Sequence, residues 1–398
     1  MLDSGERSMA QVQHSSNMTV ACRDSRQRRV QQAYAGKLLP ADLVDLFKTQ
    51  QWAFAHREIA RGKSVYPLPH ASAQIEDVCF ASRGARYDLA DYVSRNRVAG
   101  LLVLKDGHVV LEHYDLGFDA HSRWPSMSMA KSISTTLVGA AIRDGAIRSV
   151  DDPLTHYLPV LSRTQYADVT LRHLLQMATG LSWDETQVDA ASHRRAMLEL
   201  QIDQQPDRIT SYLAGRNRVA ASGEHWVYST GEVHIVGALL RAATGKWASD
   251  YLSEKIWSPF GMEQSATWWL ESPDGLEVAG TGIDATLRDY ARFGLFFMNG
   301  GVAAGKPVLP EGWLKEATEP RSIGGRTVDY GYMWWPVPTA DGSHAQGAFS
   351  ARGIFGQYIY LNPTHRIIVC TLSARSKPRF AEAILDNDFF NGVVDTLR

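Results

Sequence analysis

The stretch Ser126-Met127-Ser128-Met129-Ala130-Lys131-Ser132-Ile133 decides how this chain is read, because Ser128 and Lys131 form a Ser-x-x-Lys pair. Ile133, Leu137, Val138, Ala141 and Ile142 follow at helical spacing. Pro125 cannot continue a helix from the front, so the pattern predicts a helix beginning near Ser126. Ser128 then falls in the first turn, where its backbone N–H has no intrahelical acceptor. Lys131 lies one turn on, on the same face, with its amine in reach of the Ser128 hydroxyl. A serine hydroxyl attacks poorly until a base takes its proton, and a desolvated lysine with a depressed pKa can do so. Free N–H groups and the positive end of the helix dipole favour an oxyanion at the same place. The plainer alternative is a capping serine beside a solvated lysine. Such a pair arises by chance about once in a chain this long, so its context has to decide.

The chain has 398 residues, of which 44% are hydrophobic, enough for a large mixed fold or two lobes. Its 41 basic and 43 acidic residues leave a net charge of −2, so no basic field points to nucleic acid. Cys22, Cys79 and Cys370 have neither metal nor redox spacing and read as reduced thiols. The 13 histidines show no metal-ligand spacing, and neither metal nor cofactor is expected. No apolar run is long enough to span a membrane. Residues 1–20 lack the apolar core of a signal peptide, which also disfavours a lipoprotein reading of Cys22; the expected location is the cytoplasm.

Residues 1–45 read as a polar, partly mobile arm, with a short amphipathic helix over 41–49 and an aromatic anchor at Gln51-Trp52-Ala53-Phe54-Ala55-His56. A helix near 87–95 precedes a hairpin, in which residues 100–104 and 108–114 flank the turn signal Asp106-Gly107. Residues 151–260 are helical in pattern and read as an inserted lobe, with 46–150 and 261–398 forming an α/β lobe. Thr286-Leu287-Arg288-Asp289 predicts a capped helix carrying Tyr290, Phe293 and Phe297. Strands are expected at 345–350, 357–361 and 366–372, and a final helix over about 379–396. The fold class is therefore α+β: an antiparallel sheet closed by N- and C-terminal strands, flanked by helices.

Three further motifs follow the Ser-x-x-Lys pair in order: Leu171-Arg172-His173-Leu174-Leu175 with Ala178-Thr179-Gly180-Leu181, then Trp226-Val227-Tyr228-Ser229-Thr230-Gly231, then Ala351-Arg352-Gly353-Ile354-Phe355-Gly356-Gln357. With them the chain resembles the serine β-lactamase and penicillin-binding-protein superfamily, on its class C and esterase branch. Trp52-Ala53-Phe54-Ala55-His56 and Arg288-Asp289-Tyr290-Ala291-Arg292 resemble stretches of the 6-aminohexanoate-dimer hydrolases within it, nylon-oligomer amidases that also cleave esters. The resemblance implies a β-lactamase/transpeptidase-like fold and a serine hydrolase of esters or linear amides. Ser128 would be the acylated nucleophile and Lys131 its activator. Tyr228 would be a phenolate base that returns the proton to the leaving group, given a neighbouring cation. The backbone N–H groups of Ser128 and Ile354 would form the oxyanion hole.

Thr230, Gly353 and Trp183 are the implied substrate-binding residues, Trp183 near the place of a substrate-contacting tyrosine. Ala351-Arg352-Gly353 departs from the Lys-Thr-Gly or His-x-Gly pattern that holds a substrate carboxylate, which argues against β-lactams. Strand alternation is expected to turn Arg352 away from Ala351's side. Of Trp183, Trp226, Trp268 and Trp335, one or two are expected in an acyl pocket and the others in the core. His173 reads as a structural histidine. The expected partner is a small ester or amide, with no nucleic acid and no membrane, and a homodimer is allowed. The alternatives are an acyltransferase working through the same acyl-enzyme and a non-catalytic binding protein on this fold.

Overall fold

The computed structural model describes residues 24–339 and 341–398. Its central sheet has six antiparallel strands, in spatial order Trp335–Pro336, Phe349–Gly353, Gln357–Asn362, Ile367–Ser373, Val98–Lys105 and His108–Tyr114. The distant chain ends meet in the middle of it, where Val369 stands opposite Val103 and Ile368 opposite Leu104. Asp106 and Gly107 make the hairpin turn with φ of 51° and 79°, the left-handed pair that an Asp-Gly turn supplies. Both sheet faces are covered. Leu102, Leu104, Ile368 and Cys370 pack towards helices Met129–Arg143 and Leu287–Met298. Leu101, Val103, Ile367 and Val369 pack on the other face with Tyr92, Phe389, Phe390 and Val393. That is why Val98–Leu104 is apolar throughout and Ile367–Leu372 is apolar but for the buried Thr371, with no regular polar alternation.

A second, four-stranded sheet runs His56–Ile59, Ala266–Trp269, Ile283–Ala285 and Trp124–Pro125. It corrects the expected start of the nucleophile helix. Trp124 and Pro125 are strand residues opposite Ala285 and Asp284, and the Ser126 N–H donates to the Ile283 carbonyl at 2.7 Å. Met127 then reverses the chain with φ of 45°, and the helix begins at Met129 with Ser128 as its N-cap. Between 151 and 260, helices such as His193–Ile202 and Thr230–Thr244 dominate, and no strand occurs. Thr286 caps helix Leu287–Met298 by accepting from the Asp289 N–H, as its Thr-x-x-Asp sequence predicts.

Two further expectations are corrected. The last helix is Asp386–Leu397, starting later than 379. Arg375 is drawn inward to Asp386 and Lys377 donates to the Gly36 carbonyl, which hold 375–385 as irregular chain. Residues 24–34 are not a mobile arm but a helix docked on the body. Val30, Ala33 and Tyr34 are buried, the i, i+3, i+4 stripe of an amphipathic helix set among Arg and Gln. The Arg29 guanidinium donates to the Asp42 carbonyl at 2.7 Å, joining this helix to Pro40–Thr49. Residues 1–23, Cys22 among them, lie outside the described residues.

Val30→Asp places an unpaired charge in that interface and is expected to cost about 3 kcal/mol. A denaturant midpoint equal to that of the unaltered chain would mean that the helix does not contribute to the packed core.

Candidate active site

The nucleophile turn is gripped from three sides. Tyr290 donates its hydroxyl towards the Trp124 and Ile283 carbonyls at 2.9 and 3.0 Å. Gln357 accepts from the Trp124 indole at 3.2 Å and bonds both backbone groups of Ser373. Strand Phe349–Gly353 closes the third side at Gly353, where a Cβ would stand 2.6 Å from the Ser126 carbonyl oxygen and 2.9 Å from the Met127 Cβ. Only glycine lets the strand end approach so closely. Met127 holds a left-handed backbone conformation that β-carbon sterics disfavour, and it sits directly before the nucleophile.

Lys131 is buried, and its Nζ lies 2.8 Å from Ser128 Oγ and 2.9 Å from the Gly280 carbonyl oxygen. Burial pushes its pKa down from 10.5 to about 7; the Glu185 carboxylate opposes that drop and the Arg194 guanidinium adds to it. Tyr228 lines the same cavity as Ser128, and its ring centre is 5.2 Å from Lys131 Nζ. Burial, then the charge of Glu185, pushes its phenol up, outweighing the opposing influence of Ser128, Arg379 and Arg194. The shifts run against the expected phenolate: burial raises the Tyr228 phenol while it lowers the Lys131 ammonium. The N–H groups of Ser128 and Ile354 donate to no backbone acceptor among the described residues. They are free for an oxyanion.

A cavity of about 770 Å³ opens from Ser128. Trp226, Tyr228 and Trp335 form one wall, with the two indoles edge to face at 6.2 Å. Ile354 and Gly353 form the floor beside the nucleophile, and Arg379 and Phe380 lie on the far side. Phe380 is 86% exposed with Arg379 over its ring. Of the four tryptophans, Trp226 and Trp335 reach the cavity, whereas Trp268 is core and donates to the Thr281 carbonyl at 3.0 Å. Trp183 and Thr230 sit one layer back, and both donate to Glu185, the indole at 2.6 Å and the Thr230 hydroxyl at 2.5 Å. Arg352 does line the cavity, with its guanidinium 5.3 Å from the Trp335 ring, because alternation that buries Ala351 points its neighbour outward to the cleft. The motif therefore brings a cation to the cleft after all.

His173 caps its own helix, exchanging bonds with Thr170. Thr179 donates to Glu232 at 2.8 Å, tying its motif to the start of helix Thr230–Thr244, which follows Tyr228. Sequence reasoning missed Glu185, Arg194 and the irregular wall 375–385, none of which carries a periodic or motif signal. Among the described residues no three His, Cys, Asp or Glu side chains converge as a metal site, and no helix is long and apolar enough to cross a membrane.

A sequence profile of the Beta-lactamase family matches residues 89–389. The 6-aminohexanoate-dimer hydrolase of Paenarthrobacter ureafaciens is 27% identical over 306 residues, covering 73% of this chain and 76% of that one. The solved structure of a candidate 6-aminohexanoate-dimer hydrolase from Bacillus anthracis superposes with a TM-score of 0.78 at 22% identity, over 89% of this chain and 94% of that one. A family VIII carboxylesterase superposes with a TM-score of 0.58 at 18% identity, over 77% and 94% of the two chains. The fold is thus the β-lactamase/transpeptidase-like one.

Gly353→Ala is expected to force the strand end off the Ser126 carbonyl and to slow acylation by an activated ester about 100-fold, with the far-ultraviolet circular dichroism retained. A burst rate within twofold of the unaltered protein would show that the close approach is dispensable.

Proposed function

Because this chain belongs to the Beta-lactamase family and is a serine hydrolase, we propose that it cleaves a small ester or linear amide through an acyl-Ser128 intermediate. One observation carries the reading: a buried lysine, lowered to about 7, stands 2.8 Å from the Ser128 hydroxyl. The neutral Lys131 amine takes the Ser128 proton as Oγ bonds to the substrate carbonyl carbon. The carbonyl oxygen takes up negative charge against the N–H groups of Ser128 and Ile354. Tyr228, kept as a phenol, passes its proton to the departing alcohol or amine and regains one from the Lys131 ammonium. Water then attacks the acyl carbon by the reverse path, its proton going to Lys131 through Tyr228; Lys131 returns that proton to Ser128 Oγ as the acyl–Oγ bond breaks, releasing the acid.

The aromatic wall of Trp226 and Trp335 suits an apolar acyl or leaving group. Arg352 supplies a cation in the same cavity. A substrate carboxylate is thereby accommodated, and nitrocefin belongs in the substrate panel beside p-nitrophenyl esters and linear 6-aminohexanoate amides.

Intact mass after exposure to a fluorophosphonate is expected to show one adduct on the unaltered protein and none on Ser128→Ala; labelling of both would remove Ser128 from the reaction. Lys131→Ala and Tyr228→Phe are each expected to slow acylation about 1000-fold with the fold retained. Near-normal turnover in either would sink the proton path. Since the base must be unprotonated, acylation is expected to fall tenfold per pH unit below a limb near 7. A flat profile from pH 5 to 9 would exclude Lys131 as that base.

A further inference from the structure

A charged layer lies behind the Ser128–Lys131 contact, and the proton path does not use it. The Glu185 side chain is 10% exposed. It accepts from Trp183 Nε1 at 2.6 Å, from the Thr230 N–H at 2.9 Å and from the Thr230 hydroxyl at 2.5 Å. Arg194, 4% exposed, faces it with Nε 3.9 Å from Oε1. Arg194 is itself fixed by Tyr34 of the N-terminal helix, donating to its hydroxyl at 2.8 Å with the guanidinium 4.6 Å from its ring. Trp183 packs on Gly231, where a Cβ would stand 2.7 Å from its ring. One carboxylate is thus pinned by the segment that follows Tyr228 and, through Arg194, by the docked helix.

Burying a carboxylate costs several kcal/mol unless it is paired and hydrogen-bonded, and a neutral amide would tie Trp183 to Thr230 at less cost. The charge therefore calls for a role of its own. The titratable groups in its field are Lys131, Tyr228, Tyr330 and Arg194. We propose that Glu185 is a positioning residue whose carboxylate, held by Trp183, Thr230 and Arg194, sets the field at Lys131 and Tyr228 and with it the pH range of Ser128 acylation. This rests on the reading of Lys131 as the base.

The two charges act in opposite senses. Glu185 favours the Lys131 ammonium and Arg194 disfavours it. Removing the negative charge must therefore move the acid limb of acylation to lower pH, and removing the positive charge must move it to higher pH. Tyr228 contributes no charge near neutrality, and Arg379 acts on Tyr228 alone among this pair.

The experiment is single-turnover acylation by p-nitrophenyl acetate from pH 5 to 9, with melting curves, for the unaltered protein, Glu185→Gln, Arg194→Gln and Lys131→Ala. The expected limb moves down by about one pH unit in Glu185→Gln and up by a similar amount in Arg194→Gln. A purely structural role predicts lower melting temperatures with the limb unmoved, and that result overturns the proposal. So does a shift of both variants in one direction. If Glu185→Gln does not fold, Arg194→Gln decides alone, and an unmoved or lowered limb overturns the proposal. A limb absent from the unaltered protein, or activity retained in Lys131→Ala, fails the underlying reading of the base instead.

Discussion

Lys131 carries its amine into the protein interior, where Ser128 Oγ and the Gly280 carbonyl are its hydrogen-bond partners. Water would solvate an ammonium far better than one hydroxyl and one carbonyl do. The drop from 10.5 to about 7 corresponds to roughly 5 kcal/mol in favour of the free amine. Desolvation thus outweighs the attraction of Glu185. The surrounding elements hold the two side chains in register. Helix Met129–Arg143 is buried along nearly its whole length, and the chain segment containing Gly280 closes over the amine.

Several stretches distant in sequence converge on the turn that presents Ser128. Tyr290 holds the carbonyls on either side of it, Gln357 holds Trp124, and Gly353 admits the strand end. These are members of the motifs that carried the family resemblance. Their function is to over-determine one backbone path, 124–128, that the chain would not otherwise take. The chemistry resides in a handful of atoms, and the motif positions farther off hold those atoms in place.

The strands at 98–104 and 367–372 were legible because both faces of the sheet are covered, which makes each a nearly unbroken apolar run bounded by turn residues; the strand expected at 345–350 lies instead at Phe349–Gly353, whose mixed sequence carries no such run. Ser128, Lys131 and Tyr228 were legible because their chemistry is sharp and their order fixed. The start of the nucleophile helix was not, since pairing of Trp124 and Pro125 with Asp284 and Ala285 is a contact across about 160 residues that no local pattern reports. The N-terminal helix was obscured by its own composition: Val30, Ala33 and Tyr34 carry the right spacing, but Arg and Gln around them read as a solvated arm. Glu185 and Arg194 carried no signal at all, because a charged residue looks the same in sequence whether it faces water or a buried neighbour. The orientation of Arg352 was misjudged by asking which side it leaves and not what that side opens onto.

Met127 is held with φ of 45° immediately before the nucleophile. For a residue with a side chain, that conformation costs on the order of 1 kcal/mol, and glycine would relieve it. The same relief would loosen the backbone that aims Ser128. The Met127 side chain is also buried in the core, so glycine there would lose more packing energy than the strain it removes. Packing thus anchors the strained conformation beside the nucleophile, and thermal pressure and catalytic demand favour the same residue at this codon.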